Sequence, residues 1–345
     1  MSDTSSTTQQ DGQITFQKKI WIAGGIISLI VIFILLFKTL FSLILLILAG
    51  ILLSVFFYGF AGIIRKYLHL SSTLSIILSV LITILILVAF FWFVGVRLQS
   101  QVSQLADNLP QTIQHAKNQI TQNALGKKVM QYISSSGDSQ KTRTIIMHFF
   151  SSSFGIISDI YIILLMSLFF TVSPKVYKKG FVTLLPSKAK DKGAALLEKL
   201  KTELEKWIKG QIIGFFFIAI LTGFALWILG LPLVLTLALI AGLSNAIPNF
   251  GPIIALIPAV LIAFMQGGSM ALIVIVVYIG IQTIQSAVMQ PLVQQKIVNI
   301  PPALIIIGQV AMGSLAGFWG ILLATPVILI IKTLVNELYI KKQDT

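Results

Sequence analysis

Five side-chain amides stand out in the C-terminal part of this sequence because they interrupt its most apolar region. They are Asn245, Asn249, Gln282, Gln285 and Gln290. An amide donates and accepts hydrogen bonds but carries no charge. Because an unpaired amide is costly among hydrocarbon groups, these side chains should face the protein interior. There they would bind a small polar, uncharged molecule or join neighbouring helices, and both interpretations stay open.

Ionisable groups are scarce in the same region. Between residues 211 and 331 the only charged side chain is Lys296, and the lone acid inside an apolar run is Asp159. An acid within a membrane is a candidate for ion coupling. However, the serines at 151–153 place Asp159 near the start of its helix, which favours a structural role. The histidines are scattered and cysteine is absent, so the sequence predicts no catalytic residues, no metal site and no cofactor.

The composition defines the environment of these groups. Of the 345 residues, 56% are hydrophobic and only 10% are charged, whereas about a quarter of a soluble domain is charged. The lysines behind the net charge of +14 lie at the ends of apolar runs rather than in one stripe, so nucleic acid is not a predicted partner. The sequence therefore predicts an all-α polytopic membrane protein whose main partner is the lipid bilayer.

Apolar runs of helix length, separated by polar breaks, organise the chain. The continuous runs are Ile20–Phe37, Leu40–Ile64, Leu74–Val96, Phe149–Val172 and Gln211–Leu229. The predicted divisions are a disordered tail (1–17), N-terminal transmembrane helices (18–97), an extracytoplasmic helical segment (98–148), a transmembrane helix (149–173), a cytoplasmic amphipathic segment (174–209) and a C-terminal core of broken helices (210–338). A turn at Lys38-Thr39 is expected to join the first two runs as a tight hairpin. The lysine-rich ends predict cytoplasmic N- and C-termini.

The stretch SNAIPNFGP at 244–252 breaks a highly apolar region. Its flanking arms have about a dozen to fifteen residues, too few to cross a hydrocarbon core of about 30 Å. Pro248 and Pro252 remove helix hydrogen bonds, and Gly251 permits the dihedrals of a reversal. Since non-helical backbone at membrane depth needs protein or water around it, a re-entrant hairpin tip is predicted. A surface loop between two longer spans is the alternative.

A second stretch has a similar pattern. Pro301 opens an apolar arm, small residues at 313–317 form its centre, and Pro326 lies in a second arm. This pattern favours a second hairpin, although Gly313 and Gly317 would also suit close packing of two helices.

The segment from Ser187 to Gly210 predicts an amphipathic helix. Leu204 and Trp207 share its apolar face, and Lys201 and Glu205 are spaced for an ion pair. Such a helix would rest on anionic lipid or contact another subunit.

The motifs IPNFGPIIALIPAVLIA, IQxxQSxVMQP and GFWGILLATP, with a Pro-Pro pair between the last two, resemble the autoinducer-2 exporter family of bacterial membrane transporters. The resemblance covers roughly Thr171–Leu338. It implies an efflux-type carrier of the bacterial plasma membrane, with about eight membrane segments, two re-entrant hairpins and a homopentameric assembly. The transport elements that it implies are Pro248, Asn249, Gly251, Pro252, Gln282, Pro291, Gly317, Gly320 and Pro326. The chain departs from many members at Gln285, where they carry Glu, and at Gln295, where they carry Gly.

Three functions compete at this point. A secondary carrier for a small, polar, largely uncharged metabolite agrees with the amides, and autoinducer-2 is the solute that the resemblance implies. A monovalent cation/proton antiporter is opposed by the missing carboxylates, with Asp159 as its only candidate. A non-transporting membrane scaffold would use the amphipathic helix as its contact surface. An enzyme has the least support.

Overall fold

The computed structural model describes residues 6–93, 95, 153–289 and 300–340. The predicted extracytoplasmic segment at 98–148 lies outside them. The helices are α1 (Ser6–Leu68), α2 (Ser72–Phe93), α3 (Ser153–Val172), α4 (Pro174–Thr183), α5 (Lys190–Ile228), α6 (Val234–Ser244), α7 (Gly251–Phe264), α8 (Gly268–Met289) and α9 (Pro302–Val335). A 3-10 turn at Ser187–Ala189 precedes α5, and a π turn at Asn336–Ile340 follows α9. The described residues contain no strand, so the all-α prediction is confirmed.

Among the described residues, five helices are long and apolar enough, by length and composition, to cross a membrane, namely α1, α2, α5, α8 and α9. The bent pair α3–α4 would make a sixth span. The chain turns by 87° between these two helices, at Ser173-Pro174. Proline lacks the amide hydrogen that would continue α3, so that helix ends at Val172.

Helix α1 is continuous, which corrects the predicted turn at Lys38-Thr39. Residues 26–49 contain neither glycine nor proline, so nothing breaks the helix. The hydroxyl of Thr39 donates to the carbonyl oxygen of Leu35 at 3.0 Å, which satisfies this polar group within the helix. The 45 residues of Gly24–Leu68 extend about 68 Å, more than twice the hydrocarbon thickness of about 30 Å.

The same helix begins at Ser6, within the segment predicted to be a disordered tail. Residues 6–17 contain no proline. They extend a helix that is already formed, so they do not bear the cost of nucleation.

Hydroxyl groups hold α1 against α2 and α3. Ser79 of α2 donates to the carbonyl oxygen of Phe57 at 2.9 Å. Tyr58 donates to the carbonyl oxygen of Thr171 at 2.5 Å, and the Thr171 and Ser54 hydroxyls lie 2.9 Å apart. The three helices therefore form one packed group.

The apolar face predicted in α5 packs against the chain itself. Leu204 and Trp207 are buried in a core with side chains of α1 and α9. On the polar face the Lys201 and Glu205 charges lie 3.7 Å apart, as predicted, and Lys199 pairs with Glu337 beyond α9. This apolar face therefore contributes to the fold of the chain itself.

Helices α6 and α7 form a hairpin, called hairpin 1, whose turn spans residues 245–250. At its open end Gln266 Nε2 donates to the Gly230 carbonyl oxygen at 3.2 Å. The arms have 11 and 14 residues, which is about 17 and 21 Å of helix. Neither arm reaches across a hydrocarbon core of about 30 Å, as the re-entrant prediction requires.

Helix α9 also folds back on itself, at Ala316 (φ −127°, ψ 16°) and Gly317 (φ 58°, ψ −132°). A Cβ placed on Gly308 would lie 4.0 Å from the Ala324 Cβ. In a straight helix these residues would be about 24 Å apart. The second predicted hairpin is therefore present, and α9 is called hairpin 2.

Two hydrophobic cores organise these elements. The first core joins α1, α3, the N-terminal half of α5 and hairpin 2, through residues such as Leu45, Ile163, Leu204 and Leu323. The second core joins the C-terminal half of α5, hairpin 1 and α8, through residues such as Leu226, Leu237, Ala259 and Val274. Helix α5 belongs to both cores, and each hairpin belongs to one.

Candidate functional site

The tip of hairpin 1 combines a left-handed residue with a close backbone approach. Asn249 has a φ of 67°, a conformation that asparagine tolerates better than most residues. Gly251 begins α7 and does not have a positive φ, so the predicted dihedral role of this glycine is wrong. A Cβ on Gly251 would lie 2.0 Å from the Ser244 carbonyl oxygen. Glycine is needed here for space, and Pro252 follows in the first turn of α7.

Hairpin 2 repeats this close approach. A Cβ on Gly320 would lie 1.9 Å from the Met312 carbonyl oxygen. The left-handed residue is Gly317, and Pro326 lies further along the second arm, fully buried. The two hairpins thus share a tight tip in which a glycine admits the opposite arm.

A buried amide connects the two hairpins. Gln309, which is 0% exposed, donates from Nε2 to the Pro248 carbonyl oxygen at 2.7 Å. Its Oε1 accepts from Asn249 Nδ2 at 3.2 Å. Both the nitrogen and the oxygen of the Gln309 side-chain amide are therefore used to hold the hairpin 1 tip. Sequence reasoning missed this residue, although a lone amide in the apolar arm LIIIGQVAMG was a usable signal.

A polar cavity of about 70 Å³ lies beside the same tip. It brings together four of the five predicted amides, and none of its lining residues is charged. The lining comprises Gly210, Gln211, Gly214, Asn245, Pro248, Asn249, Gln282, Gln285, Ser286 and Met289. The fifth predicted amide, Gln290, and the neighbouring Pro291 lie outside the described residues.

Glycine in α5 gives the Asn245 amide its position. A Cβ on Gly214 would lie 2.5 Å from Asn245 Nδ2. With that space open, Gln285 Nε2 donates to Asn245 Oδ1. This hydrogen bond joins hairpin 1 to α8 across the cavity. Neither Gly214 nor Gln211 was recognised from the sequence, because only the three-dimensional approach of α5 reveals their role.

An inner cavity of about 20 Å³ continues from the first and shares Asn245, Gln282 and Gln285 with it. Its other lining residues are Ile218, Thr222, Ala241, Pro252, Ala255, Tyr278 and Ile281. All of these except Thr222 and Pro252 belong to the second core.

Asp159 lines neither cavity. Its Oδ2 accepts a hydrogen bond from Trp319 Nε1 at 2.6 Å, which ties α3 to the tip of hairpin 2. Among the described residues no group of three His, Cys, Asp or Glu could hold a metal ion. The arrangement offers hydrogen bonds to an uncharged polar molecule.

Hairpin 1, α5 and α8 line an uncharged polar cavity within a set of helices that are long and apolar enough to cross a membrane, and these features define a polytopic membrane protein of the transporter class. The chain belongs to the AI-2E transporter family, whose sequence pattern matches residues 26–340. The resemblance inferred from the motifs is thereby confirmed.

Individual relatives match over shorter stretches. The chain is 31% identical over 160 residues to "Putative transport protein YrrI" of Bacillus subtilis (strain 168). This match covers 46% of this chain and 45% of that protein. It is 31% identical over 151 residues to "Putative transport protein YueF" of the same organism, covering 44% and 41%. With "Putative permease PerM" of Escherichia coli (strain K12) it shares 25% identity over 141 residues, 40% of each protein. The chain thus spans less than half the length of these relatives.

Proposed function

We propose that this protein is a secondary transporter of the efflux type for a small polar, largely uncharged metabolite. The observation that carries this proposal is the cavity beside the hairpin 1 tip, lined by amides, glycines and one hydroxyl and by no charged side chain. Amides recognise neutral polar groups through paired donors and acceptors. Family membership supports a transport role, and it makes autoinducer-2 the first candidate solute.

The packing suggests which parts move. Hairpin 1 and α8 share the second core, whereas hairpin 2 shares the first core with α1 and α3. Within the described part of the chain, Gln309 of hairpin 2 contacts hairpin 1 through two hydrogen bonds. We expect hairpin 1 to move against the first core when these bonds break, which would open the cavity to one side of the membrane.

The remaining parts of the proposal follow from family membership and charge. The protein would lie in the bacterial plasma membrane with both termini in the cytoplasm, since lysine-rich segments favour that side. It would assemble as a homopentamer and would not act as an enzyme. Its partners would be lipid, solute and its own copies, without nucleic acid.

Labelling of a single thiol tests the central element. The chain has no cysteine, so Asn249→Cys would carry the only thiol, and it would be labelled from each side of sealed vesicles with an impermeant reagent. Slow labelling that autoinducer-2 reduces is the expected result. Ser187→Cys, an exposed position before α5, is the control that reports sidedness and should be indifferent to solute. Fast labelling at Asn249 from one side, unaffected by any solute, would show a surface loop and contradict the proposal.

A further inference from the structure

Two buried hydroxyls line the inner cavity without a hydrogen-bond partner in the part of the chain that the structure describes. Thr222 of α5 is 1% exposed and Tyr278 of α8 is 7% exposed. Neither Thr222 Oγ1 nor Tyr278 OH has a hydrogen-bond partner among the described residues, and both residues line the inner cavity. Buried hydroxyls are normally satisfied, because leaving one unpaired is destabilising. Trp207 Nε1 and Thr325 Oγ1 are also buried without a partner among the described residues, but they line neither cavity. The presence of two unpaired hydroxyls at one cavity is therefore what indicates a partner that enters from outside.

Comparison with other hydroxyls in the chain supports this interpretation. Thr83, Thr171 and Thr283 each donate to the carbonyl oxygen four residues earlier in their helix. Thr222 lies inside α5, near its C-terminal end, where the same type of bond is available to it, and does not make it. Similarly, Tyr58 donates to a backbone carbonyl oxygen, whereas Tyr278 does not. The local backbone thus leaves both hydroxyls of the inner cavity free for a ligand.

We propose that Thr222 and Tyr278 form an inner subsite for one hydroxyl group of the transported solute. The subsite rests on the proposed transport function and narrows its solute to a small neutral polyol. A hydroxyl group donates one hydrogen bond and accepts two, so it can satisfy both side chains at once. A cavity of about 20 Å³ suits one such group, since a water molecule needs roughly 10–15 Å³ by the same measure. Asn245, Gln282 and Gln285, which line both cavities, would hold the rest of the molecule.

Melting temperatures test whether the two hydroxyls lack structural partners. Thr222→Val and Tyr278→Phe remove the hydroxyls and keep the side-chain volume nearly constant. In the full-length protein without added solute, both variants should melt at or above the wild-type temperature. Thr171→Val and Tyr58→Phe are matched controls that remove satisfied hydroxyls, and they should lower the melting temperature by about 2 °C or more. Equal losses in all four variants would overturn the subsite.

Transport of erythritol, a small neutral polyol, tests the role in binding. In proteoliposomes, Thr222→Val and Tyr278→Phe should each reduce carrier-dependent erythritol flux about tenfold, as expected for one lost hydrogen bond. Thr236→Val changes a threonine of α6 that is equally buried and lines neither cavity, and it should leave the flux unchanged. Full flux in both cavity variants would overturn the subsite. A wild-type protein that moves no erythritol would instead contradict the proposed solute class, while the melting temperatures still decide whether the hydroxyls have structural partners.

Discussion

The position of the Asn245 amide in the cavity depends on the absence of a side chain at Gly214. In Gly214→Ala the new Cβ would meet Asn245 Nδ2 at 2.5 Å, so the amide must leave its hydrogen bond with Gln285. We expect solute flux in proteoliposomes to fall about tenfold. Stability should change little, because alanine favours a helix by about 0.5–1 kcal/mol over glycine. The control is Gly280→Ala in α8, where a Cβ would meet nothing within 4 Å. Unchanged flux in Gly214→Ala would show that the Asn245 position is not needed.

Substitution of Asp159 distinguishes a carrier of uncharged solutes from a cation/proton antiporter. If its role is to accept the Trp319 hydrogen bond, the amide oxygen of Asp159→Asn can replace the carboxylate. Flux and melting temperature should then stay close to wild type, whereas Asp159→Leu should lose about 1 kcal/mol or more of stability. An antiporter needs a group that exchanges a proton, so Asp159→Asn would abolish its activity. Complete loss of flux in a stably folded Asp159→Asn protein would therefore favour the antiporter.

The sequence allowed some of these residues to be predicted. Asn245, Asn249, Gln282 and Gln285 stand out locally, because amides are costly in apolar surroundings. Gly214, Thr222 and Tyr278 are ordinary helix residues, and only the approach of other elements gives them a role. Gly251 was predicted for its dihedral freedom, yet its contribution is the space that it leaves for Ser244. Local sequence patterns do not predict contacts between residues that are distant in sequence.

At the scale of elements, the fold-back of hairpin 2 brings together two residues that a straight helix would hold far apart. Its Gly308 and Ala324 Cβ positions are 4.0 Å apart, within the range of about 3.5–4.5 Å found in disulfides. The double variant Gly308→Cys/Ala324→Cys should therefore form an intramolecular disulfide on mild oxidation, detected as protection of both thiols from alkylation. The new side chain at 308 requires only the end of Ile328 to move. Each single variant is a control and should stay fully alkylated. Free thiols in the oxidised double variant would contradict the fold-back at Gly317.

The hairpins were predictable because proline and glycine leave strong local signals. The Lys38-Thr39 turn was not a sound prediction, since lysine and threonine are tolerated within a helix. A polar pair between two apolar runs shows only that the apolar composition is interrupted there. Whether the chain turns there depends on a helix breaker, and residues 26–49 contain none.

For the whole molecule, the two hydrophobic cores explain why the site lies where it does. Apolar side chains bury each hairpin in a different core, and burial of this kind is the main source of stability. The contact between hairpin 1 and Gln309 is polar instead. Hydrogen bonds contribute only about 0.5–1.5 kcal/mol each, so such a contact separates more readily than a packed core. This weaker contact lies beside the polar cavity, because Pro248 and Asn249 both line the cavity and bond to Gln309.

Joining the two hairpins through residues 249 and 309 tests this movement directly. In Asn249→Cys/Gln309→Cys, a short bifunctional thiol reagent should tie the hairpin 1 tip to hairpin 2, because the two side chains meet at 3.2 Å in the native protein. We expect the cross-linked protein to lose solute flux, whereas the Gln309→Cys single variant, whose residue lines neither cavity, should keep its own untreated rate after the same treatment. The Asn249→Cys single variant measures how much flux the reagent removes by occupying the cavity, and any further loss in the double variant would follow from blocked movement. Full flux after complete cross-linking would mean that the tip and hairpin 2 travel together, and the moving boundary would then have to lie elsewhere, along α5 where the two cores share a helix.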